Sequence, residues 1–68
     1  MDVVHRDGTW HLRSAGRSLS SHDTKDEAIA EGVRVARNNE PSQLIIHLAD
    51  GTFEEERTYG EDPYPPAG

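Results

Sequence analysis

Between Thr24 and Asn39 the apolar residues recur at intervals of three and four, whereas on either side they alternate with polar ones. At 100° per residue, Ala28, Ile29, Gly32, Val33, Val35 and Ala36 share one arc of roughly 160°. Glu27, Glu31, Arg34 and Asn38 fall opposite. This predicts an amphipathic helix over residues 24–39 with one face for burial. The middle of that face is the row Ala28, Gly32, Ala36, so the helix axis can come close to whatever lies beneath it. Gly32 costs about 1 kcal/mol of helix propensity relative to alanine, and its central place implies close packing. Thr24 followed by Glu27 reads as a capping box, in which each side chain would satisfy a backbone N–H of the first turn. Asp26 and Glu27 suit the positive end of the helix dipole, and Arg34 and Arg37 the negative end.

Alternation marks the flanking stretches as strands. Residues 3–6 and 9–14 enclose Asp7-Gly8, the dipeptide of a type I′ hairpin turn, whose two central residues both need positive φ. A two-residue loop pairs Arg6 with Thr9, His5 with Trp10, Val4 with His11 and Val3 with Leu12. Val3, His5, Trp10 and Leu12 then share the face toward the helix. Ala15-Gly16 is a second turn, bringing residues 17–22 back as a third strand with Leu19 opposite Leu12. The other face is expected to carry Arg6, Thr9, His11, Arg13, Ser18 and Ser20. After the helix, Pro41 stops further helix. Residues 42–49 form the most apolar strand, and Asp50-Gly51 turns it into residues 52–57, with Leu48 meeting Phe53 and His47 facing Glu54. Glu54-Glu55-Glu56-Arg57 is poor strand sequence and fits an edge guarded by charge.

The expected architecture is α+β, in the order β-β-β-α-β-β, with one helix on one face of an antiparallel sheet of four to five strands. Residues 1–58 make a single domain. Residues 59–68 hold three of the four prolines and read as a Pro/Gly-rich C-terminal tail, whose Tyr59 and Tyr64 suit either the groove of another domain or the cover of the chain's own core.

Composition narrows the function. Apolar residues make up 32 % of 68, so the core is thin and self-association would help it. The net charge of −6 opposes general affinity for nucleic acid or an anionic membrane. That charge is uneven: residues 1–22 carry +1, residues 23–40 carry −2 and residues 41–68 carry −5. With no cysteine there is neither disulfide nor thiolate, and no segment is apolar enough to span a bilayer or to act as a signal peptide. A cytoplasmic protein is the expectation.

Several strings together resemble a family of short bacterial and phage proteins, domain-of-unknown-function family 2188. They are Val3-Val4, Gly8-Thr9-Trp10, Ser20 with His22-Asp23-Thr24, Thr24-Lys25-Asp26-Glu27-Ala28-Ile29, Ala36-Arg37, Leu44-Ile45-Ile46-His47, Asp50-Gly51 and the closing YGEDPYPPAG. The resemblance covers nearly the whole chain and implies a compact α+β unit; it supplies no catalytic residues. Members often carry proline after the Val-Val pair and basic residues around the Asp-Gly turn. Here His5 and Arg6 stand at the first place and Leu48-Ala49 before the second, and the second of these departures speaks against a nucleic-acid role. Residues 8–36 are also similar to the small three-stranded modules through which some integrases and plant transcription factors grip DNA.

Candidate chemistry is sparse. The four histidines lack the spacing of a metal site, and the acidic run with Asp50 lacks a calcium loop, so neither metal nor cofactor is expected. Trp10 offers a stacking surface, but its alternation with Leu12 assigns it to the core. Ser14, Ser18, Ser20 and Ser21 lie near His22 in sequence without the base, orienting group and oxyanion site that a nucleophile needs. Arg6, His11, Arg13 and Arg17 are the candidate contacts for a partner or for phosphate. The expected function is thus a small non-enzymatic interaction module working with a protein partner or its own copy, as a homodimer through the open sheet face or an exposed edge. The alternative is a nucleic-acid-binding module that uses the same face.

Overall fold

A computed structural model describes residues 1–60. The elements are β1 (Asp2–Arg6), β2 (Thr9–Ser14), β3 (Arg17–His22), α1 (Lys25–Arg37), β4 (Ser42–His47) and β5 (Phe53–Tyr59). They form one five-stranded sheet in the order β3-β2-β1-β4-β5, with α1 on one face. The class and element order are those expected. The sheet is mixed rather than wholly antiparallel, because β1 and β4 pair in parallel, Asp2 with Ile45 and Val3 with Ile46. Lengths explain this. The helix has 13 residues and β3 has six. At 1.5 Å and about 3.3 Å per residue, both span about 20 Å. The helix therefore returns the chain to the end where β3 began, and β4 runs in the direction of β1. The Met1 carbonyl accepts from the Ile45 N–H (2.8 Å) at the head of this seam.

The first hairpin has the register that its turn dictates, from Arg6↔Thr9 to Asp2↔Arg13, with Asp7 and Gly8 at φ 54° and 78°. Ala15 and Gly16 (φ 52° and 80°) make the second turn, with Ser14 paired to Arg17. Beyond it the expected pairing of Leu19 with Leu12 does not form. The register shifts between Leu12 and Arg13, so Leu12 faces Ser20, Arg13 faces Ser18, and Leu19 is the extra residue of a β-bulge. Leu19 is left 47 % exposed, and Ser20 moves to the helix side with Leu12.

The second Asp-Gly behaves differently from the first. The Asp50 carboxylate accepts from the Thr52 N–H (2.9 Å) and the Thr52 hydroxyl (2.7 Å), an Asx turn, and only Gly51 takes positive φ. The strands accordingly end at His47 and resume at Phe53, and a second bulge follows. Phe53 pairs with His47 and Glu55 with Ile46, in place of the expected Leu48–Phe53 and His47–Glu54 contacts. β5 continues through Tyr59, which sequence reading assigned to the tail, and residues 61–68 with Tyr64 lie outside the described residues.

The core sits between α1 and the strands that face it. Val3, Leu12, Leu44 and Ile46 are its fully buried large side chains, beneath Ala28, Gly32 and Ala36. Burying each such side chain contributes about 1.5–3 kcal/mol, and so short a list makes a lean core. Ile29, Val33 and Val35 are half-buried on its flank, as are Trp10 and Tyr59. Thr24 caps the helix, its hydroxyl accepting from the Glu27 N–H at 3.1 Å. The reciprocal bond from Glu27 is not formed, and that side chain is exposed. At the other end, Asn39 donates to the Val35 carbonyl (2.7 Å) and Ser42 to the Ala36 carbonyl (2.9 Å).

Candidate functional site

Pleating sends alternate residues of each strand away from the helix, and among the described residues no other element covers that side. β1 places Asp2, Val4 and Arg6 there, β2 places Thr9, His11 and Arg13, β3 Ser18 and Ser21, β4 Gln43, Ile45 and His47, and β5 Phe53, Glu56 and Thr58. The pairing aligns them in rows. Asp2 stands between Arg13 and Ile45, and Ile45 is followed by Glu56. Val4 stands beside His11, and one residue past the Val3↔Ile46 pair it comes level with His47, followed by Phe53. Phe53 is 61 % exposed, the most exposed large apolar side chain described.

Of the four candidate contacts, Arg6, His11 and Arg13 are brought onto this face. Arg17 is not, since it pairs with Ser14 on the helix side. There it lines a groove of about 430 Å³ with Leu19, Val35, Asn39 and Met1. Arg13 donates to the Gly16 carbonyl at 2.8 Å and His11 Nδ1 lies 3.2 Å from Ser21 Oγ. His47 Nε2 is 3.4 Å from Asp2 Oδ1, while its Nδ1 is buried without a partner among the described residues. The face therefore mixes both signs of charge around an apolar centre. Sequence reading missed its second half, Ile45, His47, Phe53 and Glu56, because their placement depends on the parallel seam and the second bulge.

The helix side holds the other residues that invited chemistry. Trp10 is half-buried against the core, with the His5 ring at 4.8 Å and the Lys25 ammonium at 5.7 Å from its ring. It lies across the sheet from Arg6 and Arg13 and shares no surface with them. Ser20 Oγ is 2.9 Å from His22 Nε2, two residues along the same strand, and the bulge puts this pair on the helix side. Among the described residues no carboxylate hydrogen-bonds the second nitrogen of that ring, so a hydroxyl–imidazole pair stands without the group that would orient it. The described residues contain no group of three His, Asp or Glu arranged to hold a metal ion, and no helix long and apolar enough to cross a membrane.

Electrostatics along the edge is local. Glu54 pairs with Lys25 and Glu55 with Arg57 (2.8 Å), and the Arg37 guanidinium lies 5.7 Å from the Tyr59 ring. The hydrogen bond from Arg57 holds the Glu55 carboxyl below its ordinary value, and that from Arg34 does the same for Glu31 on the helix. The Thr52 N–H, then its hydroxyl, lowers Asp50.

A one-helix, five-stranded α+β domain with a mixed-charge sheet face, open among the described residues, is thus the class of protein defined here. The chain belongs to the family described as an uncharacterized protein conserved in bacteria (DUF2188), whose profile matches residues 1–59. No curated protein and no solved structure matches it.

Proposed function

We propose that this protein is a non-enzymatic interaction module whose binding surface is the open face of the sheet. The observation that carries the reading is Phe53, 61 % exposed beside His47 in the row that also holds Val4, on a face that no other described element covers. Apolar groups in such a setting are what a protein partner buries, and the surrounding mixture of charges suits another protein surface. Among the described residues the face has no assembled nucleophile or metal centre, and the cytoplasm is the compartment in which we place the protein.

The test uses three tagged proteins in host lysate: wild type, Phe53→Ser on the open face, and Glu27→Lys on the outer helix surface. Whatever wild type retains, the Phe53 variant should lose and the Glu27 variant keep, with all three folded and the Glu27 variant melting slightly lower because lysine opposes the helix dipole. Retention indifferent to Phe53, or no specific retention, overturns the reading.

The alternative, a nucleic-acid-binding module, draws support from Arg6, His11 and Arg13 lying on one face and is opposed by Asp2 and Glu56 lying among them. It expects binding that weakens steeply as salt rises and disappears in Arg6→Ala/Arg13→Ala. Absence of binding at about 50 mM salt disposes of it, because phosphate contacts are strongest there.

A further inference from the structure

We propose that the occupant of the open face is a second copy of this chain, packed sheet to sheet about a two-fold axis that crosses β1 at Val4. The proposal rests on the open-face reading above and names its partner. β1 is the middle strand, with two strands on either side, so an axis across it uses the whole face. Toward that face β1 presents an acid, an apolar group and a base in turn: Asp2, Val4 and Arg6. A two-fold axis perpendicular to the strands and passing over Val4 reverses this order. Asp2 of each copy then stands over Arg6 of the partner subunit, and the two Val4 side chains meet between these pairs.

The axis follows the row that contains Val4, so the members of that row come opposite themselves. Phe53 meets Phe53 of the partner subunit, and an exposed ring on each copy becomes an aromatic pair. Aligned sheets pack about 10 Å apart with interleaved side chains, a distance that Asp2 and Arg6 bridge together. Both groups are available. Among the described residues Arg6 is exposed and in no ion pair, and the one contact of the Asp2 carboxylate is to His47 at 3.4 Å. A protein with net charge −6 repels its own kind in general. This face is where complementary signs offset that repulsion.

Light scattering and sedimentation over a concentration series test this on the full chain. Wild type should dimerise by high micromolar concentration. Arg6→Glu and Asp2→Arg should each raise the dissociation constant about 100-fold, since each sets like charges against one another at both contacts. Mixing the two variants should restore a heterodimer, because each supplies the sign that the other lacks. Phe53→Ser should weaken the dimer about tenfold without any change of charge, a readout that stands if Asp2→Arg fails to fold. Three results overturn the proposal: a strictly monomeric wild type, a dimer indifferent to Arg6→Glu, or folded charge variants that stay monomeric when mixed. A monomeric wild type whose retained partner is still lost in Phe53→Ser removes the second copy and leaves the interaction reading; retention indifferent to Phe53 removes both.

Discussion

Gly32 lies so close above Leu44 that a Cβ on the glycine would stand 2.9 Å from Leu44 Cδ1 and 3.2 Å from Leu12 Cδ1. Both leucines are fully buried and have no solvent to move into. Alanine at position 32 gains about 1 kcal/mol of helix propensity, whereas overpacking a tight core costs about 1–3 kcal/mol. Gly32→Ala should therefore lose about 1 kcal/mol in urea unfolding. Adding Leu44→Val should cost less in that background than in the wild type, because it removes the clashing methyl groups. A Gly32→Ala protein more stable than wild type would show that the contact can relax.

Gly60 is constrained by its backbone as well as by space. Its φ is +103°, and a Cβ would come within 2.8 Å of Glu40 Cβ and 3.0 Å of Pro41 Cα. Gly60→Ala should cost about 2 kcal/mol of unfolding free energy. Gly8→Asn makes the contrast. That position has positive φ and nothing within 4 Å of a Cβ, and asparagine tolerates the left-handed region. Its loss should stay below about 0.5 kcal/mol.

At the helix start, one hydrogen bond of the expected pair exists. Thr24→Ala should cost about 1 kcal/mol and Thr24→Ser little, while Glu27→Ala should change stability by less than about 0.5 kcal/mol. Chemical denaturation of the three variants checks this. A Glu27→Ala loss equal to that of Thr24→Ala would mean that the reciprocal bond forms in solution.

Acid dependence follows from Asp50. Two donations from Thr52 lower its folded pKa below the ordinary 3.8, so the stabilisation is fully present above that value. It is lost as pH falls through the lower folded value, where the folded carboxylate finally takes up its proton. Melting temperature between neutral pH and about pH 2 should accordingly fall less in Asp50→Asn than in wild type, the difference arising below about pH 4. Parallel curves for the two proteins would refute it.

Residues whose partners are local were legible in the sequence. The helix, its buried row, the Thr24 cap and the first hairpin register each depend on residues a few positions apart, and α1 and the β1–β2 pairs stand as expected. What failed was competition between local geometries. Asp7-Gly8-Thr9 and Asp50-Gly51-Thr52 are the same tripeptide, yet only in the second does the threonine donate twice to the aspartate, so the choice between the two turns is made by the strands around them. The bulge at Leu19 likewise hides in a run of serines that pair equally well in either register. As for the candidate surface, Arg6, His11 and Arg13 were readable from one hairpin. Ile45, His47 and Phe53 needed the β1–β4 seam, which no local signal announces.

The seam also governs the order in which the molecule can complete itself. β1, which precedes the four strands that join it, occupies the middle of the sheet, and one of its edges stays bare until β4 is in place. During that interval Val3 and Leu12 have no Ile46 or Leu44 beside them, and an unpaired strand edge is a template for any passing chain. Truncated chains that end before or within β4 should therefore be the ones that recruit chaperones or precipitate, because that edge stays bare in them.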